Sequence, residues 1–308
     1  SPERFFGRER ELAKLGKILA RSQSEGVQVA FISGDPGRGK TALMAAFARL
    51  TMDQNPELLV AQGNCIAFSG VGDPYLPFRE ILNQLTGDVS GQYSTGPISD
   101  QQAQRLWGTA GTTMQHLVDH GPYLVDRFVP ADALLTRAQD LSQRENDWLE
   151  TFQTSIEQSS KLSGELPQSA LFEQLTNLLR ALASEVPILL LLDDLQWVDQ
   201  GSVGLLFHLG RRLSGAQILI IGAYRPEEVA LGRTVTGLGR VERHPLEKVL
   251  AEFKRDYGDV WVDLSQDAEG EGRGFVDAFV DTEPNLLQEG FRDALFEHTG
   301  GHPLFTVE

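Results

Sequence analysis

The sequence predicts an α/β fold in which a parallel sheet is covered by helices on both faces. Three observations support this prediction. Short apolar segments, typical of buried strands, alternate with amphipathic segments of helical period, which favours parallel strands joined by crossover helices. The first apolar segment is followed by a glycine-rich turn, and a later one ends in two acidic residues. In open parallel sheets, such groups lie at the carboxyl edge, where ligands bind.

The first part of the chain contains elements in the alternating order that this fold requires. A helix over residues 8–21 carries Leu12, Leu15 and Leu19 on one face. The elements that follow are a strand at 27–33, a helix from about 40 to 51, a strand at 58–61 and a helix at 75–86. Residues 87–99 are rich in Gly and Ser and predict a loop.

A helical insert is predicted at residues 88–166, because residues 101–164 are polar, helical in character and without a strand signal. The alternation then resumes with a helix after Pro167, a strand at 187–192, a helix at 202–213 and a strand at 217–223. After about residue 240 the pattern turns helical. We therefore expect an α/β domain over residues 1–240 and a helical lid domain over residues 241–308, truncated at its C-terminus.

Composition excludes several classes of function. The 27 basic and 43 acidic residues give a net charge of -16, which argues against a general nucleic-acid-binding surface but leaves nucleotides possible. The single cysteine, Cys65, allows neither an internal disulfide nor a cysteine-based zinc site, and it favours a cytoplasmic setting. The longest apolar run, residues 188–192, is far shorter than the ~20 residues of a membrane helix. Since the chain lacks an initiator Met and ends within an apolar pattern, we expect it to be a fragment of a longer protein.

The strongest motif lies between the first strand and the second helix and fits G-x-x-x-x-G-K-[ST]. It consists of Gly34, Asp35, Pro36, Gly37, Arg38, Gly39, Lys40 and Thr41. Its glycines allow backbone N–H groups to surround phosphate oxygens, and the helix N-terminus adds partial positive charge. In this pattern Lys40 reaches the β- and γ-phosphates and the Thr41 hydroxyl ligates Mg²⁺. The motif therefore predicts a nucleotide site.

Two further segments supply charged residues at strand ends. Asp193 and Asp194 follow an apolar strand, and we expect Asp193 to bind Mg²⁺ through water and Asp194 to orient or deprotonate the attacking water. The alternative is an acidic pair that begins a turn and caps the next helix. Arg225 ends the next strand, where it either faces the γ-phosphate or lies on the surface before Pro226.

Taken in order, the motifs resemble the predicted ATPase modules of the STAND class of AAA+ relatives, which occur in bacterial signalling proteins and transcriptional regulators. The resemblance spans nearly the whole chain. The segments that carry it are FGREREL at 6–12, the phosphate loop at 34–41, PYLPFRE at 74–80, LDDLQWVD at 192–199, AYRPE at 223–227 and TGGHPL at 299–304.

The resemblance implies further contacts with the nucleotide. Phe6, Gly7 and Arg8 belong to a segment that would lie against the adenine, with Gly7 permitting close approach. Pro303, in a G-x-P turn, would approach the base from the helical lid. Arg225 would act as a sensor arginine. Asp194 stands where AAA+ machines usually carry the longer Glu, so we expect weak water activation.

These expectations combine into an ATP-binding, slowly hydrolysing regulatory switch, with Lys40, Asp194 and Arg225 as catalytic residues. Its expected partners are ATP or ADP with Mg²⁺, other domains of the full protein and a second copy in a nucleotide-dependent association. No nucleic acid or membrane partner is expected. An AAA+ ATPase acting on DNA, similar to origin-recognition proteins, is the alternative, and the net charge weighs against it. A P-loop kinase is a third reading, for which the sequence has no acceptor motif.

Overall fold

The centre of the fold is a parallel sheet. The computed structural model describes residues 8–67, 74–90, 98–142, 147–161, 167–234, 241–265, 271–281 and 287–299. The strands within these ranges are β1 (Gln28–Ser33), β2 (Leu59–Asn64), β3 (Ile188–Asp193), β4 (Ile218–Tyr224), β5 (Arg233–Thr234), β6 (Val241–Glu242) and β7 (Trp261–Asp263). Five of them form one sheet in the order β2-β3-β4-β1-β7, with all neighbours parallel, whereas β5 and β6 form a separate antiparallel pair.

Helices cover both faces of this sheet. They are α1 (Glu9–Glu25), α2 (Lys40–Gln54), α3 (Leu76–Leu85), α4 (Asp100–His120), α5 (Ala131–Ser142), α6 (Asp147–Ser160), α7 (Gln168–Ala183), α8 (Gln200–Arg212), α9 (Pro226–Leu231), α10 (Pro245–Tyr257), α11 (Glu271–Val280) and α12 (Glu289–Thr299). Short 3-10 helices lie at Pro122–Leu124 and Leu195–Trp197. None of the helices in the described ranges has the length and apolar character needed to cross a membrane.

The central strands β1, β3 and β4 are apolar except at their ends, because both of their faces are buried. Successive side chains of a strand point to opposite faces, so Leu190 and Leu192 of β3 join one core while Leu189 and Leu191 join the other. The second core contains side chains of α1 and α2, and the first contains those of α3, α7, α8 and α10. The predicted α/β class is therefore confirmed.

The outer edge of β2 is covered by side chains from two helices. Leu59 N–H bonds the Pro187 carbonyl next to β3, so the alternate residues of β2 direct their backbone groups outward. Three buried side chains from α3 and α4 meet these groups. Gln84 bonds both N–H and carbonyl of Gln62 (2.9 and 2.8 Å), Glu80 accepts from Asn64 N–H (2.7 Å) and Gln102 donates to the Val60 carbonyl (3.1 Å).

The described parts of the region predicted as an insert contain α4, α5, α6 and the Pro122–Leu124 turn, joined by short connecting segments. Three short strands, β5, β6 and β7, were not predicted. β7 lies beyond residue 240, where we expected helices, and it pairs with β1 from Phe31↔Trp261 to Ser33↔Asp263. Three residues are too few to show an alternating or apolar pattern. The domain boundary near residue 240 stays a prediction, and this sheet strand lies after it.

Candidate functional site

The candidate site lies at the carboxyl edge of the sheet. Ser33 at the end of β1 pairs with Tyr224 at the end of β4, and β3, which neighbours β4, ends at Asp193. Because these strands are parallel, the segments after them emerge side by side. The phosphate loop, the acid pair and Arg225 therefore meet at one edge.

The phosphate loop connects β1 directly to α2. Gly37 and Gly39 have φ of 76° and 82°, in the left-handed region that glycine adopts without strain. Gly39 is the N-cap of α2 and Lys40 is the first residue of that helix. The free N–H groups of the first helical turn thus point toward the space beside the loop, as an anion site requires.

Lys40 folds back over its own loop. Its Nζ donates to the carbonyl oxygens of Gly34 (2.8 Å) and Asp35 (2.9 Å), and the residue is only 7% exposed. Burial lowers the pKa of Lys40, and the nearby Arg225 guanidinium lowers it further. An ammonium that has lost its hydration gains from an anionic neighbour, so this lysine suits a phosphate ligand.

Thr41 and Asp193 form the second part of the site. The Thr41 hydroxyl donates to Asp193 Oδ2 at 2.5 Å, and Asp193 Oδ1 accepts from the Asp194 N–H at 2.8 Å. Burial raises the pKa of Asp193, although the hydrogen bond from Thr41 opposes this shift. A hydroxyl and a carboxylate are ligands that Mg²⁺ accepts together with phosphate oxygens and water, so these two residues fit such an ion.

The described residues contain no group of three or more His, Cys, Asp or Glu side chains able to hold a metal. A Mg²⁺ ion that shares its ligands with a nucleotide needs only one or two protein oxygens.

Asp194 adopts a backbone conformation that few non-glycine residues adopt. Its φ of 53° and ψ of 42° place it in the left-handed region, at the start of the Leu195–Trp197 turn. Its side chain is 40% exposed and therefore open to water. The Gln196 amide donates to Asp194 Oδ1 at 2.6 Å, and Arg225 Nη2 lies 3.8 Å from the same oxygen. Such strained residues are frequent at functional sites.

Arg225 follows β4 and serves as the N-cap residue of α9. Its Nη1 donates to Glu228 Oε1 at 2.8 Å, and its backbone N–H donates to Gln196 Oε1 at 3.1 Å. The buried Arg225 Nε has no hydrogen-bond partner in the described part of the chain. An unpaired buried donor on a cation has capacity for an anionic ligand.

The structure brings Lys40, Thr41, Asp193, Asp194 and Arg225 to one edge of the sheet. Sequence reasoning missed Gln196 and Glu228, because an amide two residues after an acid and a glutamate three residues after an arginine are ordinary surface patterns. The only indication in the sequence was that Gln196 lies two positions after Asp194 and Glu228 three positions after Arg225.

Arg8 lies just before α1. Because α1 runs antiparallel to β1, to which a short turn connects it, the start of α1 lies at the same end of the fold as the phosphate loop. Arg8 is 9% exposed and pairs with Glu11 at 3.0 Å. The predicted adenine contacts Phe6 and Gly7 and the predicted lid residue Pro303 lie outside the described residues. Their roles stay predictions.

The comparison with protein-family models agrees with this architecture. Residues 4–221 match the AAA ATPase domain family. Among solved structures, the chain is similar to VirB4 of Thermoanaerobacter pseudethanolicus, with 12% identity, a TM-score of 0.27 and coverage of 85% of this chain and 82% of that chain. No curated protein has a significantly matching sequence. Since the family match spans most of the chain, and a parallel sheet with a phosphate loop accompanies it, this protein belongs to the AAA ATPase domain family.

Proposed function

We propose that this chain is the ATP-binding, slowly hydrolysing switch module of a larger signalling or transcriptional regulatory protein. One observation carries the proposal: five predicted site residues lie together at one edge of the sheet. They are Lys40, the hydrogen-bonded pair Thr41 and Asp193, and the neighbouring Asp194 and Arg225. The first three residues suit binding of a phosphate with its metal ion, and the last two suit hydrolysis.

Each residue then has a separate task. Lys40 leaves its two loop carbonyls and binds the β- and γ-phosphates. Thr41 and Asp193 hold Mg²⁺, which neutralises phosphate charge when it is bound. Asp194 orients a water molecule and accepts its proton, since its carboxylate is the exposed one of the acid pair. Arg225 faces the terminal phosphate and stabilises the charge that develops there.

Slow turnover is supported by the state of the two hydrolytic residues. Asp194 accepts a hydrogen bond from Gln196 and lies 3.8 Å from the Arg225 guanidinium, so its negative charge is already partly compensated. Arg225 is paired with Glu228. An aspartate also reaches one methylene less far than the glutamate usual in AAA+ machines. We therefore place turnover well below the ~10 s⁻¹ of a typical enzyme.

The switch reading is supported by a contact between the acid turn and the segment after residue 240. His244, the N-cap of α10, is buried, and its Nε2 lies 2.9 Å from the Gln196 carbonyl oxygen. The Leu246 N–H donates to His244 Nδ1, so the ring proton is on Nε2, which donates to Gln196. A change at the acid pair can thereby alter the position of the following region, and a nucleotide favours one arrangement by its differential affinity.

One experiment tests this proposal against its alternatives. The nucleotide that co-purifies with the chain is identified by mass analysis, and ATP hydrolysis is then measured with and without DNA. We expect an adenine nucleotide, slow hydrolysis and no response to DNA. Strong stimulation by DNA would instead favour a DNA-acting ATPase, and phosphoryl transfer to an added small molecule would favour a kinase. A turnover near ~10 s⁻¹ would contradict the switch.

A further inference from the structure

We propose that Gln196 is a positioning residue that holds Asp194 and Arg225 apart in the arrangement needed for hydrolysis. This inference rests on the proposed function and adds to it a residue whose amide bonds the Asp194 carboxylate at one end and the Arg225 backbone N–H at the other. Gln196 lies in the Leu195–Trp197 turn and is 2% exposed.

The two ends of the Gln196 amide have different partners. Nε2 donates to Asp194 Oδ1 at 2.6 Å, and Oε1 accepts from the Arg225 backbone N–H at 3.1 Å. A carboxylate only accepts hydrogen bonds and a backbone N–H only donates them, so these partners fix which end of the amide faces which residue. A primary amide supplies both a donor and an acceptor in one plane, which is what these two partners require.

The Gln196 backbone is fixed as well. Its carbonyl oxygen accepts from His244, and the flanking Trp197 N–H donates to the Asp194 carbonyl at 2.9 Å. A side chain that is buried and bonded at both ends has little rotamer freedom left. Its donor therefore occupies a constant position relative to the acid pair.

The arrangement matters because Asp194 and Arg225 attract each other. At 3.8 Å their closest atoms are farther apart than the ~2.8 Å of a direct charge-assisted hydrogen bond. A direct pair would turn the carboxylate away from water and the guanidinium away from a phosphate. Gln196 supplies Asp194 with another partner, and Glu228 does the same for Arg225 at 2.8 Å.

The test replaces the amide with groups of the same length. Gln196→Met keeps the volume of the side chain but cannot donate to Asp194, and Gln196→Glu keeps an acceptor for the Arg225 N–H while placing a carboxylate beside Asp194. Gln84→Met is the matched control, because Gln84 is also a buried glutamine but its amide bonds the strand backbone at Gln62. For each variant, kcat and KM for ATP, the Kd for ATP by calorimetry, and the Tm are measured.

We expect both Gln196 variants to lower kcat by about tenfold or more while KM and Kd stay within about twofold of wild type. Gln84→Met should lower the Tm and leave kcat unchanged. A wild-type kcat in Gln196→Met, an equal loss of kcat in Gln84→Met, or a Kd that weakens in step with kcat would each overturn the inference. Absence of hydrolysis by the wild-type chain would overturn the proposed function itself, so the two failures are distinguishable.

Discussion

Replacing Lys40 with alanine tests the nucleotide site most directly. The ammonium now bonds the carbonyl oxygens of Gly34 and Asp35 and would exchange them for two phosphates. At about 4 Å and an effective dielectric constant of about 20, attraction to each phosphate is ~4 kcal/mol, or ~8 kcal/mol for both. Giving up two hydrogen bonds from a charged donor costs about 5 kcal/mol. The difference of ~3 kcal/mol predicts that Lys40→Ala weakens ATP binding by roughly 150-fold.

The binding is measured by calorimetry with MgATP at constant salt, with Lys14→Ala as the charge-matched control. Lys14 pairs with the exposed Asp259 at 2.7 Å on the surface of the fold, so its loss should leave the ATP affinity within about twofold, as is usual for an exposed pair. The Tm of each nucleotide-free variant shows whether it is folded. A Lys40→Ala chain that is folded and binds ATP within about threefold of wild type, a difference of only ~0.7 kcal/mol, would refute the site assignment.

The remaining predictions concern the acid pair, the sheet edge and the predicted lid. Asp194→Asn should bind nucleotide normally and hydrolyse it more slowly, because an amide cannot accept the proton. Asp193→Asn should instead weaken the Mg²⁺ dependence of binding. If the two variants behave identically in calorimetry and in hydrolysis assays, the separate roles assigned to the two aspartates are wrong. Gly63→Ala should lower the free energy of unfolding in urea by about 3 kcal/mol, because its Cβ would lie 2.0 Å from a backbone carbonyl oxygen in α3. Gly16 lies inside α1, and a Cβ added there would have nothing within 4 Å, so Gly16→Ala should raise the free energy of unfolding by about 0.5–1 kcal/mol. If Gly16→Ala lowered this free energy more than Gly63→Ala does, the packing described at the two glycines would be wrong. Pro303→Gly should reduce the rise in Tm that ATP produces, and an unchanged rise would remove Pro303 from the nucleotide site.

The sequence predicts those parts of the fold that repeat a simple pattern. β1, β3 and β4 are continuous apolar runs, and each was predicted within one or two residues of its observed bounds. The context of the phosphate loop, a strand before it and a helix after it, was likewise predicted and confirmed. These features could be predicted because burial on both faces of a sheet favours consecutive apolar residues along the middle of each strand.

Other features depend on contacts between distant segments, which a single sequence does not display. β7 has three residues and is a strand only because β1 lies next to it. Gln196 bonds the backbone of Arg225, 29 positions away, and nothing in the local pattern indicates that pairing. The roles of the predicted site residues also remain predictions, because each role is defined by a contact with a bound nucleotide.

The side chains along the outer edge of β2 restrict how this module can assemble with other chains. An unprotected edge strand accepts a strand from another molecule, whether a peptide ligand or a second copy. Here Glu80, Gln84 and Gln102 already occupy the outward backbone groups at Asn64, Gln62 and Val60. Growth of the sheet on this side would require α3 and α4 to detach and leave buried polar groups unpaired. Any partner that approaches from this side must therefore recognise helix surfaces, chiefly that of α3, which supplies Glu80 and Gln84.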